Sequence, residues 1–520
     1  RVNAQGFLAD TTFMTDLAGE IARAAGAGGD VARGLLTDAA ELAEQCALTP
    51  ADLGIGEVFV PEDSLVLPAG VHDADAILRA RCVAGLPRYT GAQAREATTR
   101  LDAELRTITT MGFATYFLTV TEVVDLARAR GIRVAARGSG AGSLVVHLLG
   151  ISGVDPIEHG LLMERFCTPL RRELPDIDID VESARRTEVY DAILERFGTD
   201  RVACVSMPET YRVRHAIRDV GAALGWPPGE IDMIAKAFPR VRARQVRAVL
   251  AELPELRNSG LGRLAARGEL DMVLDLVEGL DGLPRHLAMH PCGVVISDAS
   301  LLDRTPVEPS GAGYPMSSFD KDDVEHLGLL KLDVLGVRMQ SALAYAVDEV
   351  ARIDGERIDL DAIPQDDDRA FALVQSTRTL GCFQIESPGQ RELIGKFAPE
   401  TFHDLIVDIS LFRPGPISSD MITPFLDARH GWREPSYLHD DLRPILAETY
   451  GVVVFHEQVL RIIATMTGCS LAEADETRRS MKTPDVRAEI QQWFVPTARH
   501  RGYDDATVDA VWEVLEGVAS

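Results

Sequence analysis

The chain has 520 residues, 46% of them hydrophobic, and carries a formal charge of −27. A chain of this length outgrows a single core and is expected to divide into several domains, and it holds no run of about 18 apolar residues that would span a membrane. The acid excess excludes indiscriminate binding to nucleic acid, which needs clustered Lys and Arg, but leaves a local basic groove open. Lysine occurs only at Lys236, Lys321, Lys331, Lys396 and Lys482, so arginine must supply most of the cationic groups. The cysteines stand singly, with no Cys-x-x-Cys pair. That pattern fits a reduced, cytoplasmic protein and argues against zinc ribbons and disulfide frameworks.

Residues 1 to about 60 show helical patches, Phe13 to Ala25 and Val31 to Cys46, without recognisable chemistry. The chain opens on Arg1 with no signal peptide, and Ser520 follows an apolar-periodic run, so both ends are expected to continue a longer chain. Helical spacing returns over Ala74 to Leu86 and Ala92 to Met111, and Phe113, Tyr116 and Phe117 open a helix ending near Gly131. Such an aromatic trio is expected in the core. Ile132 to Ala136 suits a short strand that leads into Arg137-Gly138-Ser139-Gly140-Ala141-Gly142-Ser143 and a helix over Leu144 to Leu149. Glycines let a ligand approach the backbone, and a helix start offers free N–H groups, so this loop is a candidate phosphate cradle. Its spacing is neither that of a Walker loop nor that of a dinucleotide fingerprint.

Arg171 to Val181 alternates carboxylate and aliphatic residues and reads as a strand. Asp176, Asp178 and Asp180 would line one face while Ile177, Ile179 and Val181 pack on the other. Neighbours on that face lie about 6.6 Å apart along a strand, so the row invites a cation, and hard oxygen ligands suit Mg²⁺. An edge strand blunted by exposed acids is the competing reading. A helix from Ser183 to Phe197, capped by Ser183 and ended by Gly198, and a strand from Arg201 to Met207 should follow. From Glu209 to Leu280 the pattern is helical, and Arg240 to Arg247 forms the most basic patch, either a solvated helix face or a surface for a nucleic-acid backbone.

His286 and His290, four residues apart, would meet on a helical face and could bind a metal with Cys292, but Pro291 ends any helix and no acid lies between them. A structural or phosphate-facing role is therefore preferred. Leu327 to Val334 reads as a strand that points Lys331 and Asp333 from one face and Leu330, Leu332 and Val334 from the other. Burying that lysine and acid costs free energy unless they pair with each other or face a charged site. Gly336 and Arg338 start a helix through Arg352, and the rest is largely helical, with turns at Pro388-Gly389 and Pro414-Gly415-Pro416.

Taken in order, these residues resemble the bacterial DNA polymerase III alpha subunit, the C-family DNA polymerases. The resemblance rests on Arg137 to Ser143, Pro175 to Asp180, the Pro284-Arg285-His286 segment and Lys331 to Gly336. Further along it rests on Phe383 to Ser387, Phe412 to Pro416, His456-Glu457-Gln458 and Arg478 to Met481. It implies an α+β fold: a polymerase-beta-like nucleotidyltransferase palm over 75–206 and 285–336, a helical thumb inserted at 207–284, and incomplete helical fingers over 337–520. Residues 1–74 would be a helical connector following a missing metal-binding PHP domain. The clamp-binding and OB regions would lie beyond residue 520.

By resemblance, Asp176, Asp178 and Asp333 are the catalytic acids that hold two Mg²⁺ ions, with Asp180 outside the catalytic set. Gly138 and Ser139, with Arg137, hold the incoming triphosphate. Lys331, on the same face, is placed to neutralise phosphate charge, and Arg478, Arg479 and Lys482 are candidates for binding the β- and γ-phosphates, because forked or point cations suit those oxygens. The implied substrates are primer-template DNA and dNTPs. A sliding clamp and other replisome or translesion subunits would dock on regions outside these residues. The chain departs from the family at Ala135-Ala136, where Pro-Gly is usual, and at Lys482-Thr483-Pro484, where a longer basic run is usual; both departures incline the reading to the error-prone branch. A two-metal nuclease or phosphoesterase and a non-catalytic DNA-binding relative are the competing functions.

Overall fold

A computed structural model describes residues 9–171, 173–413 and 420–518, so Arg172 and the Pro414-Gly415-Pro416 turn lie outside the described residues. Residues up to Glu57 form one unit and Val58 onward another. The first unit consists mainly of helices Thr11–Ala24 and Gly29–Gln45, of which only Ala18 and Ala22 are buried.

The second unit is built on a mixed seven-stranded sheet. Its strands are β1 (Ala135–Arg137), β2 (Asp178–Glu182), β3 (Val202–Thr210), β4 (Pro284–Ile296), β5 (Val307–Pro309), β6 (Pro315–Ser317) and β7 (Lys331–Val337), in the spatial order β1-β2-β7-β4-β3-β6-β5. The period-two pattern decides which side of the sheet is covered. Ile177, Ile179, Val181, Leu330, Leu332 and Val334 are fully buried against helices Gly91–Met111, Ala114–Ala129 and Arg186–Phe197. Asp178, Asp180, Lys331 and Asp333 alternate with them on the opposite, partly open side. Phe113, Tyr116 and Phe117 belong to this core, as expected.

Several boundaries shift. The acid-rich strand begins at Asp178, leaving Asp176 in the extended segment before it. Ser183 does not cap the next helix, which starts at Arg186 after Arg185, although Gly198 does end it. The histidine segment is no helix but part of β4, so its side chains follow strand geometry. The chain between β3 and β4 forms a helical insertion with its own core, centred on Val213, Ala216, Phe238, Val246 and Val277. Beyond Arg338 the described chain is helical around two further cores, one containing Leu460 and Phe494 and the other Phe397 and Phe425.

Candidate active site

Two strands far apart in sequence bring the acids together. β2 pairs in parallel with β7, placing Asp178 directly beside Asp333, and β1 pairs on its other side, placing Arg137 beside Asp178. Asp176 completes the group: one carboxylate oxygen from each of Asp176, Asp178 and Asp333 lies within 4.8 Å of the others. The Asp176 loop is held from behind by Tyr116, whose hydroxyl donates to the Pro175 carbonyl at 2.5 Å.

Crowding shows in the charges. Burial, then the neighbouring Asp176 and Asp333, push the Asp178 carboxyl up to about 6. Desolvation also raises Asp176, against the pull of Lys331. Lys331 Nζ donates to Asp333 Oδ2 at 2.8 Å and lies 3.5 Å from Asp176. Burial alone would lower the Lys331 pKa, but the two acids outweigh it and hold the ammonium above its ordinary value. Lys331, with Arg137 beside Asp178, thus faces three acids, and Asp333 Oδ1 is buried without a hydrogen-bond partner among the described residues. A buried acceptor left open beside two further carboxylates is what a hard cation would satisfy. Asp180 lies apart from the cluster, with Arg137 Nε 3.0 Å from its Oδ1.

The glycine loop is a short 3₁₀ turn, Gly138–Gly142. Gly138 adopts φ +76°, and a Cβ there would stand 3.4 Å from Asp178 Oδ2, so the loop backbone runs against the acid cluster. Its helix start, however, is already occupied. Buried Glu104 accepts from Ser143 Oγ at 2.8 Å, Leu144 N–H at 3.0 Å and Val145 N–H at 3.1 Å, and pairs with Arg100 at 2.9 Å. The free N–H groups expected at this helix start are therefore spent on an internal carboxylate. Arg137, Gly138 and Ser139 lie ahead of that helix start and take no part in the Glu104 contacts.

A second cluster is cationic. Asp475, 2% exposed, accepts from Arg478 at 2.8 Å and lies 3.7 Å from Arg171, which stands five residues before Asp176. Burial and the adjacent Arg479 lower the Arg171 pKa. Nearby, Arg165 bonds Glu457 at 2.5 Å and His456 Nδ1 at 3.1 Å. Burial, then Arg165 and Arg478, push His456 down to about 4, so it is neutral at pH 7. The Nε atoms of Arg165 and Arg171 are buried without partners among the described residues, and Arg479 makes no ion pair there. Lys482 is exposed and, among the described residues, makes no ion pair.

The sequence reading named Arg478 and Arg479 and quoted the His456 motif, but did not join them to Arg165, Arg171 and Asp475, which the structure brings beside them. Arg171 heads the acid-rich stretch, and the signal was the basic pair Arg171-Arg172 ahead of a run of acids. The Arg240 to Arg247 patch is largely neutralised. Arg242 binds Asp281, and Arg247 binds Asp271, Asp275 and Glu278, all four acids lying in the last part of the same insertion.

Comparison with known proteins assigns this site to a lineage. The chain matches the family model for the bacterial DNA polymerase III alpha NTPase domain over residues 76–336 and that for the bacterial DNA polymerase III alpha subunit finger domain over residues 339–502. The chain belongs to the bacterial DNA polymerase III alpha family. It is 39% identical over 457 residues to an error-prone DNA polymerase of Symbiobacterium thermophilum, covering 87% of this chain and 41% of that protein. It is 36% identical over 478 residues to the DNA polymerase III subunit alpha of Bacillus subtilis, covering 91% and 42%. It is 33% identical over 507 residues to that of Escherichia coli K12, covering 93% and 43%. The chain thus spans about two-fifths of the length of these polymerase III alpha relatives. Both the acid cluster and the glycine loop fall within the NTPase-domain match, and the Arg478-Arg479 pair falls within the finger-domain match.

Proposed function

We propose that this chain carries the nucleotidyl-transfer centre of a DNA-directed DNA polymerase that extends a primer 3′-hydroxyl with dNTPs. The observation that carries the reading is the convergence of Asp176, Asp178 and Asp333 within 4.8 Å, on two parallel strands and the loop before one of them. The mixed sheet serves as a polymerase-beta-like palm over 75–206 and 285–336. The helical insertion at 207–284 is the thumb, the helices from 337 on are fingers, and 1–74 is a connector.

The three acids are suited to hold two Mg²⁺ ions, which when bound would activate the primer hydroxyl and stabilise charge on the triphosphate. Asp178, raised to about 6, is ionised at pH 7 and ready for a cation. Lys331, kept charged by Asp176 and Asp333, presents an ammonium to phosphate oxygens on the same face. Arg137, Gly138 and Ser139 border the acids and orient the triphosphate. Arg478 and Arg479, with Arg165 and Arg171, offer guanidinium forks for its outer phosphates, and neutral His456 avoids adding a mobile charge. Lys482 is at most a peripheral contact.

The test is primer extension and strand degradation by the full-length protein with Mg²⁺. Extension that Asp178→Asn or Asp333→Asn abolishes supports the reading. Degradation without extension would replace it with a two-metal nuclease. Retained Mg²⁺ binding in Asp178→Asn would point to a non-catalytic DNA-binding role.

A further inference from the structure

Asp333 has a second set of neighbours. β3 and β4 pair in register at Cys204↔Val294, and again at Ser206↔Met289, but the register slips by three residues in between. Four residues, His290 to Gly293, thus stand opposite Val205 alone and bulge from β4. Pro291 cannot donate to a ladder, and its carbonyl turns away to accept from Arg186 and from Tyr190 at 3.4 Å. The bulge brings the side chains of His290 and Cys292 together, with Cys292 Sγ 3.4 Å from His290 Nδ1. Gly293 pairs across with Asp333 on β7, so both side chains border that acid. One donor atom from each of His290, Cys292 and Asp333 lies within 4.8 Å of the others.

We propose that His290, Cys292 and Asp333 form a site for a soft divalent cation of the zinc class, which competes with the acid cluster for Asp333. A nitrogen, a thiolate sulfur and a carboxylate oxygen are the donor types such an ion takes in tetrahedral sites with one open position. The 3.4 Å sulfur–nitrogen separation matches the roughly 3.5 Å that tetrahedral Zn–S and Zn–N bonds impose. As the sulfur–metal bond forms, the thiol proton passes to solvent, and no electron moves. His290 Nδ1 now accepts the Gly293 N–H at 3.0 Å, and ligation gives up that bond. The site is therefore weaker than a closed structural zinc site and fills only when the free ion is abundant. His286, the other half of the pair suggested by sequence spacing, takes no part, because it pairs with Glu209 at 2.9 Å.

Filling this site draws Asp333 out of the Asp176-Asp178-Asp333 group. The consequence for activity rests on the polymerase reading; the binding itself does not. Co²⁺ serves as the spectroscopic probe. Titrated into the chain, it should give a thiolate-to-cobalt charge-transfer band that Zn²⁺ abolishes by displacement. Cys292→Ser and His290→Ala should lose the band, while Asp176→Asn, which touches only the acid cluster, should keep it. Circular dichroism identifies any variant that fails to fold, and Cys292→Ser, nearly isosteric, keeps the test interpretable if Cys292→Ala does not fold. In primer extension by the full-length protein and its variants with Mg²⁺, the Zn²⁺ concentration that halves each protein's own rate should rise at least about tenfold in Cys292→Ser. No band in the parent chain, or a band that survives Cys292→Ser, overturns the proposal. A band with no extension by any protein leaves the cation site standing and removes the polymerase reading.

Discussion

The molecule crowds like charges in two places, on different scaffolds. Asp178 and Asp333 are fixed side by side by the β2–β7 ladder, and burial first, then the neighbouring carboxylates, raise the Asp178 pKa. The arginines come from turns and helix ends, Arg165 and Arg171 before β2 and Arg478 in the last turn of a helix, and each finds a carboxylate in Glu457 or Asp475. The three acids share the single lysine Lys331, whereas the arginines are matched by the internal carboxylates Glu457 and Asp475.

Breaking the acid side should have the largest effect. Asp178→Asn should lower the extension rate by at least about 10³-fold, the scale of losing a main electrostatic contact to the reacting phosphate, while melting temperature holds or rises because a like-charge contact is removed. Next comes the support behind the glycine loop. Glu104→Ala removes the charge partner of Arg100, leaves two buried N–H groups unpaired and should cost about 3–5 kcal/mol in denaturant unfolding. On the arginine side, Asp475→Asn should destabilise by about 3 kcal/mol through the uncompensated Arg171 and Arg478, and should alter KM for dNTP more than kcat.

Without divalent ions, pH separates the two clusters further. The folded chain holds the Asp178 proton up to about 6, whereas the unfolded chain releases it near 3.8. The folded state therefore binds the extra proton within that window, and stability falls as pH rises through it and levels off above. The loss should be at most about 2 kcal/mol after allowing for solvent screening, and Asp178→Asn should flatten the slope. The smallest effect belongs to the helical insertion. Because Arg247 is saturated by three acids, Arg247→Ala should leave DNA affinity within about twofold and cost only about 1 kcal/mol of stability. A large loss of affinity would restore the patch as a DNA surface.

Much of this was legible because period-two patterning is local. Asp178 with Ile179, and Lys331 with Asp333, declared their faces before any partner strand was known. What sequence could not supply was pairing. Nothing local says that β2 runs parallel to β7, that Glu104 from a helix some 40 residues upstream closes the loop's helix start, or that Arg242 and Arg247 meet the acids of 271–281. The histidine segment misled for a different reason. A four-residue spacing suggests one face of a helix, and only the three-residue slip in β4 shows that His290 and Cys292 can meet on a strand.

The Asp176–Lys331 contact joins residues 155 positions apart. Closing a loop of that length costs about 2 kcal/mol more than closing one of 15 residues, on chain entropy alone. The acid cluster is thus among the last features a folding chain can assemble, after the whole helical insertion has been looped out between β3 and β4. If the acids hold metal as proposed, cation affinity then reports on completed folding: a chain stalled with its helices formed but β7 undocked would look helical and hold none at this site.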